Sequence, residues 1–250
     1  MSLTAYRASE AEQLRTADLL RLAPVAGQKA LDIGARDGHF SRLLAERFER
    51  VVALDLTLPD VDHPKVECVE GNAASLAFDD GALDFVFCAE VLEHIPPHVL
   101  PLVCHEMARV AKGQILVGVP YRQDLRVGRT TCTSCNGKNP PWGHVNSFDE
   151  RRIAELFPDC RVEATSFVGK NGECTNAVAT ALMDLAGNPY GTYAQDEPCI
   201  HCGNALKPPP ARSFSQKLAT RMATWMRRAS EAVHAPRGNW IHVLMSKRTA

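Results

Sequence analysis

The stretch that decides the fold is residues 31–41, which read LDIGARDGHFS. A short apolar run ends at Ile33, glycines follow at positions 34 and 38, and an amphipathic segment begins at Phe40. Glycines let the chain turn sharply and let a ligand approach the backbone before a helix starts. The order of strand, glycine loop and helix predicts an α/β fold with a ligand at the end of the first strand.

Outward from this stretch, the first 170 residues alternate between short apolar runs and amphipathic segments with helical spacing. Continuous apolar strands that alternate with helices predict a parallel sheet covered on both faces. We therefore expect an open, doubly wound α/β sheet of seven mostly parallel strands. The runs predicted as strands are 30–33, 51–56, 66–70, 83–88, 114–119, 161–167 and 240–245.

Two segments interrupt the alternation, and we interpret them as insertions into a single domain over residues 1–250. Residues 121–147 and 172–238 are long and rich in glycine, proline and cysteine, unlike ordinary connections. Both follow strands of the predicted sheet, so we expect the two insertions to emerge at its ligand edge and to form a lid there.

Acidic residues follow the predicted strands at their carboxyl ends: Asp32, Asp37, Asp55 and Glu90. Asp55 comes 23 residues after Asp32, close to the spacing at which an acid accepts the hydroxyls of an adenosine ribose. A dinucleotide fingerprint and a Walker-type Gly-Lys-Ser/Thr are both absent from this loop. Such acids repel phosphates and attract a cofactor with sulfonium and ammonium groups. The sequence thus favours S-adenosylmethionine over NAD or ATP.

These motifs resemble those of class I S-adenosylmethionine-dependent methyltransferases of the small-molecule type. Residues 31–38 resemble the first motif, 51–55 the ribose-binding strand end, 70–78 the adenine-side loop, and 83–95 the fourth strand with its exit. The resemblance is specific over about residues 28–120. Arg36 replaces the usual central glycine of the first motif.

The resemblance implies roles for individual residues. Asp32, Gly34 and Gly38 would line the methionine part of the donor, and Asp55 would hold the ribose. Asn72, where the family usually has aspartate, and Ala73 would flank the adenine. Glu90, at the exit of the fourth strand, completes the set of expected cofactor-binding residues.

Two cysteine pairs lie in the insertions: Cys132 with Cys135, and Cys199 with Cys202. A two-residue spacer lets two thiolates bind one metal ion, and four thiolates make a closed, structural zinc site. The 63 residues between the pairs exceed the usual ribbon spacing, so reduced thiols or a redox pair remain alternatives, with His144 and His201 as substitute ligands. A zinc ion here would clip the predicted lid.

Methyl transfer to oxygen or nitrogen often needs a base, and four side chains are candidates: Glu90, His94, Tyr121 and His144. His144 lies in the first insertion just before a predicted helix, and it is the first choice for base or substrate contact. His94 precedes two prolines and is the second choice.

Composition restricts the partners. The formal net charge of the 250 residues is -1, which argues against nucleic acid as a partner of the whole chain. From residue 205 onward, however, nine Lys or Arg accompany one acid. A helix predicted over residues 214–234 carries apolar residues on one face and basic residues on the others. It could pack on the sheet or lid with its charges solvated, contact a membrane surface peripherally, or contact RNA.

The function expected from these features is methyl transfer to a small-molecule, sugar or secondary-metabolite acceptor, with oxygen as the favoured methylated atom. One alternative is an RNA methyltransferase that uses the zinc module and the basic helix. A second is a non-catalytic protein that binds S-adenosylmethionine and serves a partner. Nine cysteines without a visible secretory signal predict a reduced, cytoplasmic protein.

Overall fold

A computed structural model describes residues 7–248 of the chain. Within them the chain divides into two compact units. The first comprises residues 7–121, 148–169 and 238–248, and the second comprises residues 122–147 and 170–237.

The first unit is built on a seven-stranded sheet with the order β3-β2-β1-β4-β5-β7-β6. The strands β1 to β5 are parallel to one another. The strand β7 runs antiparallel to both β5 and β6. The expected seven-stranded, mostly parallel sheet is therefore confirmed. Its strands are β1 (Gly27–Ile33), β2 (Phe48–Asp55), β3 (Val66–Glu70), β4 (Leu83–Ala89), β5 (Ala111–Pro120), β6 (Cys160–Val168) and β7 (Trp240–Lys247).

Four helices belong to the first unit: α1 (Glu10–Leu22), α2 (His39–Ala45), α3 (Leu100–Val110) and α4 (Glu150–Leu156). Side chains start two of them. Ser9 Oγ accepts a hydrogen bond from the Glu12 N–H at α1, and Asp149 Oδ1 accepts one from the Arg152 N–H at α4. Each bond satisfies an N–H group that has no partner within its own helix.

Successive residues of a strand point to opposite faces, so the sheet has two separate cores. Leu31 and Val86 pack with α3 and α4 on one face. Ala30 and Phe85 pack with α1 and α2 on the other. The first unit thus has three layers, with the glycine loop at the carboxyl end of β1.

The second unit contains two helices, α5 (Ala177–Leu185) and α6 (Phe214–Val233). Asn176 caps α5, and a capping box of Ser213 and Gln216 begins α6. A short antiparallel hairpin pairs Thr130–Thr131 with Lys138–Asn139. No helix of residues 7–248 combines the length and the apolar character needed to cross a membrane.

Candidate functional site

The loops that follow β1, β2 and β3 are held together by backbone hydrogen bonds. The Gly34 N–H donates to Leu54 O (2.8 Å), and the Gly71 N–H donates to Asp55 O (2.8 Å). The Arg36 N–H donates to Asp55 Oδ2 (2.9 Å). The expected motifs therefore meet at the carboxyl edge of the sheet, with Asp55 bonded to the loops on both sides.

Glycines 34 and 38 are required by backbone conformation and by space. Their φ angles are +76° and +70°, a region that side chains disfavour. A Cβ atom at Gly34 would lie 2.2 Å from Val91 Cγ2, and one at Gly38 would lie 2.2 Å from Val61 Cγ2. Arg36 also adopts a positive φ of 48°, so an ordinary side chain occupies a left-handed position where the family usually has glycine.

Asp32 is a buried acid at the end of β1, with 2% of its surface exposed. Ser41 Oγ donates a hydrogen bond to its Oδ2 (2.5 Å). Burial, with a smaller contribution from the carboxylate of Asp55, raises the pKa of Asp32 to about 7, although the hydrogen bond from Ser41 opposes the shift. The free protein therefore holds this carboxyl near the midpoint of its titration at neutral pH.

Asp37, in contrast, is already compensated. Arg7 Nη2 lies 3.1 Å from Asp37 Oδ1, and this guanidinium holds the pKa of Asp37 down against the opposing effect of partial burial. Among the acids of this edge, Asp37 thus contributes least uncompensated charge.

Two further acids follow β4, of which Glu90 is half-buried and Glu93 is buried. Glu90 has a φ of +58°, and its Oε1 lies 4.0 Å from Arg15 Nη1. Burial raises the pKa of both Glu90 and Glu93. The charge of Glu90 raises the pKa of Glu93 further, whereas Arg15 opposes the shift at Glu90. Glu93 is fully buried, and neither of its oxygens accepts a hydrogen bond from the described residues. Sequence reasoning missed Glu93, although it stands in the quoted exit motif.

Asn72 and Ala73 follow β3. Asn72 Oδ1 accepts a hydrogen bond from the Ala74 N–H (2.9 Å), so its side chain shapes the turn that it begins. Ala73 is buried against the core of the first unit, while Asn72 is exposed. With Gly71 bonded to Asp55, this turn lies beside the end of β2.

The catalytic candidates divide between the two units. His94 is half-buried in the first unit, just after the acids of the β4 exit. His144 is buried in the second unit, where its Nδ1 lies 2.6 Å from Gln123 Oε1. Because an amide oxygen only accepts, Nδ1 carries the proton and the basic lone pair is on Nε2. Tyr121 Oη donates to the carboxylate of Glu150 at 3.0 Å.

The four predicted metal ligands converge in the second unit. The Sγ atoms of Cys132, Cys135, Cys199 and Cys202 all lie within 4.8 Å of one another. Cys132 and Cys202 are 3.7 Å apart, as are Cys135 and Cys199. Four sulfurs about 2.3 Å from a tetrahedral ion would be about 3.8 Å apart. The His201 Nε2 is instead paired with the carbonyl of Lys138 at 3.0 Å.

The two cysteine pairs share one backbone design. In each pair, the first cysteine donates its N–H to the carbonyl five residues later, at Gly137 or Asn204. The residue after the second cysteine donates back to the carbonyl of the first. These residues, Asn136 and Gly203, have φ angles of 58° and 72°. Two equivalent turns thus present four sulfurs to one point.

The negative charge of thiolates in this cluster would be stabilised by a cation. The N–H groups of Cys135 and Ser134 lower the pKa of Cys132 to about 6. At Cys135 the three neighbouring sulfurs outweigh the Gly137 N–H and raise the pKa to about 12. Thiolates at such close range repel one another, and a divalent ion removes that repulsion. The donor set and its spacing therefore fit zinc.

A separate cavity of about 250 Å³ lies inside the second unit, between α5 and α6. Four arginines line it, but three of them form ion pairs with Asp124, Asp184 and Glu231 respectively. The fourth, Arg228, forms no ion pair within residues 7–248. The cavity is therefore nearly balanced in charge.

Part of the first unit is similar to known proteins. Residues 31–116 match the family model described as a methyltransferase domain. A protein of Mycolicibacterium smegmatis named "Probable S-adenosylmethionine-dependent methyltransferase" is 31% identical over 150 residues, which cover 58% of this chain and 55% of the relative. The chain thus spans about half the length of the curated relatives it matches.

Two further similarities extend this comparison. The Ubiquinone biosynthesis O-methyltransferase of Albidiferax ferrireducens is 29% identical over 94 residues, which cover 33% of this chain and 37% of that protein. The crystal structure of the N-methyltransferase NodS from Bradyrhizobium japonicum superposes with a TM-score of 0.54 at 13% identity, over 97% of this chain and 99% of that one. At that identity the likeness concerns the fold alone.

Proposed function

We propose that this protein methylates an oxygen of a small-molecule, sugar or secondary-metabolite acceptor, with S-adenosylmethionine as the donor. Residues 31–116 match the family model described as a methyltransferase domain, and the relative that is 31% identical is named "Probable S-adenosylmethionine-dependent methyltransferase". The observation that carries the proposal is the row of acidic side chains at the carboxyl ends of β1, β2 and β4. Asp32, Asp55, Glu90 and Glu93 belong to it, and two of them are buried almost completely.

Their charge suits a cationic donor. S-adenosylmethionine supplies, when bound, an electrophilic methyl group on a positively charged sulfur. Asp32 and Glu93 are buried carboxyls whose pKa values are raised chiefly by that burial. A cation beside them favours the ionised form, whereas the phosphates of ATP or NAD would add further negative charge.

The individual residues of the first unit take separate tasks in this proposal. Asp55 binds the ribose hydroxyls: the Arg36 N–H fixes its carboxylate, which keeps lone pairs for further hydrogen bonds. Asn72 and Ala73 flank the adenine. Asp32, Gly34, Gly38 and Glu90 line the methionine part.

The acceptor needs alignment with the methyl group and, for an oxygen nucleophile, removal of a proton. His144 is the proposed base because its hydrogen bond to Gln123 leaves the basic lone pair on Nε2. His94 is the second candidate. The name of the relative from Albidiferax ferrireducens supports oxygen as the methylated atom.

The proposal includes one structural zinc ion, held by Cys132, Cys135, Cys199 and Cys202. Two equivalent turns and sulfur spacings of 3.7 Å support it. The role of the second unit as a lid stays a prediction.

A transfer assay tests the proposal. The protein is incubated with donor labelled at the methyl group and with phenols, sugars or total RNA. Label in a phenol or sugar, sensitive to Asp55→Ala, is the expected result. Label in RNA alone would favour the RNA methyltransferase, and tight donor binding without any transfer would favour the non-catalytic alternative.

A further inference from the structure

The longest helix of the second unit, α6, buries its small residues and exposes its large apolar ones. Its small residues Ala219, Thr220 and Ala223 are buried, and Asn176 beside α5 donates a hydrogen bond to Ser230 Oγ (2.8 Å). The narrow face of α6 therefore packs on its own unit. The large apolar residues of the helix take no part in this packing and are exposed.

The large apolar residues form a continuous outer stripe. Phe214, Leu218, Met222 and Trp225 are spaced by four, four and three residues, which places them on one side of a helix. They are exposed by 85%, 50%, 49% and 74%, respectively. We call these four residues the outer stripe. A contiguous apolar patch of this kind marks an interaction surface, because single exposed apolar residues are common but aligned ones are not.

Positive charge borders the outer stripe. Lys217, Arg221 and Arg228 fall on the adjoining side of the helix, all three are exposed, and none forms an ion pair within residues 7–248. The helix has one acid, Glu231, which pairs with Arg227 at 2.7 Å. A surface that fits this helix must accept apolar side chains and carry negative charge next to them.

We infer that α6 binds the surface of an anionic lipid membrane. Helices that lie in a membrane interface combine an apolar face with a basic flank, and tryptophan is favoured at that depth. Acyl chains would receive the outer stripe, and anionic headgroups would meet the three cations. The phosphates of RNA would bind the three cations, but RNA offers no apolar surface that could bury the outer stripe. This inference does not depend on the methyl-donor site.

Flotation with lipid vesicles tests the inference on the full chain. Vesicles of equal parts phosphatidylcholine and phosphatidylglycerol should carry the protein, added salt should release it, and vesicles of phosphatidylcholine alone should bind it at least about tenfold less. Emission of Trp225, isolated by subtracting the spectrum of Trp225→Phe, should shift to the blue on binding.

Variants test whether vesicle binding depends on the outer stripe or on any exposed apolar residue. Leu218→Ser with Trp225→Ser should lose vesicle binding, whereas Leu185→Ser, an equally exposed apolar residue of α5, should keep it. Lys217→Glu with Arg221→Glu should lower binding to anionic vesicles about tenfold or more, and Lys112→Glu should not. Circular dichroism checks that each variant is folded.

Four results would overturn the inference. They are failure of the wild type to float, equal binding to neutral vesicles, unchanged binding of the stripe variant, and self-association that buries Trp225 without lipid. Retention of RNA without binding to vesicles would assign the basic flank to nucleic acid instead.

Discussion

Asp32 shows at the scale of one residue how burial of a carboxyl favours a cationic ligand. A carboxyl that is buried with one hydrogen bond costs folding energy once it ionises. Its pKa of about 7 means that the folded chain holds a proton which the unfolded chain would release at lower pH. The free protein therefore loses stability as the pH rises from 3.8, the ordinary pKa of an aspartate, to about 7, and the loss is complete above that pH. A bound cation would offset that cost.

Donor affinity should consequently depend on pH. A cation lowers the pKa of Asp32 in the complex, so binding releases a proton wherever the free carboxyl is protonated. Affinity should rise through pH 7 and be about tenfold stronger at pH 8 than at pH 6. Asp32→Asn should remove most of this dependence, measured by calorimetry in buffers of different ionisation enthalpy. Asp37→Asn should retain it, because Asp37 is already paired with Arg7. A flat profile in the wild type would contradict the assignment.

Asp55 offers a second test at this scale. Asp55→Ala should weaken donor binding by about a hundredfold, since it removes charged acceptors of hydrogen bonds worth about 1.5–3 kcal/mol each. Asp84→Asn is the matched control: Asp84 accepts hydrogen bonds from the Gln28 and Lys29 N–H groups at the opposite end of β1. Equal donor affinities of wild type and Asp55→Ala in a fluorescence titration would remove Asp55 from the site.

His144 is tested through turnover. His144→Ala should lower kcat about a hundredfold or more while donor affinity stays unchanged, as expected for loss of a general base. Gln123→Ala should give a smaller loss, because it removes only the partner that fixes the ring. Normal turnover in steady-state assays of His144→Ala would leave His94 as the remaining histidine candidate.

At the scale of elements, the strands were predictable and the first helix was not. The strands β1, β2, β4 and β5 are runs of apolar residues because both faces of the sheet are covered there. Helix α1 is not predicted from the sequence because its buried positions include Glu12 and Arg15. Arg15 Nε donates a hydrogen bond to Glu12 Oε2 (2.8 Å). Two opposite charges that compensate each other inside a protein look, in a sequence, like two solvated surface charges.

The candidate site was predictable where local chemistry demands particular residues. Gly34 and Gly38 need positive φ, and the Cys-x-x-Cys turns need fixed spacing, so both leave marks in the sequence. Glu93 stands in the exit motif, but the motif does not indicate that its side chain is fully buried. The exposed outer stripe of α6 was equally hidden, since periodicity reveals an apolar face but not the direction in which it points.

The cysteine turns carry a prediction at this scale. Plasma emission spectroscopy should find about one zinc ion per chain, lost in Cys135→Ser with Cys202→Ser. The second unit has only a small cluster around Cys132, Cys199 and Leu206, so loss of the ion should unfold that region. Cys174→Ser, outside the cluster, should keep the metal. A metal-free wild type with unchanged stability would contradict the zinc assignment.

The whole molecule combines two units with different sources of stability. The first unit has two extensive hydrophobic cores of its own. The second depends on its cysteine cluster and on the packing of α5 with α6. Loss of zinc should therefore leave donor affinity within about twofold of the wild type, since the proposed donor residues all lie in the first unit. A collapse of donor binding in the double cysteine variant would show that the two units are coupled.

Calorimetric titration of the intact protein with S-adenosylmethionine, alongside ATP and NAD, tests the central claim most directly. The account predicts saturable binding of the sulfonium compound at one site per chain, weakened by Asp55→Ala and strengthened by raising the pH through 7. It predicts no measurable heat from either phosphate-bearing nucleotide. Binding of ATP or NAD in preference to S-adenosylmethionine would contradict it.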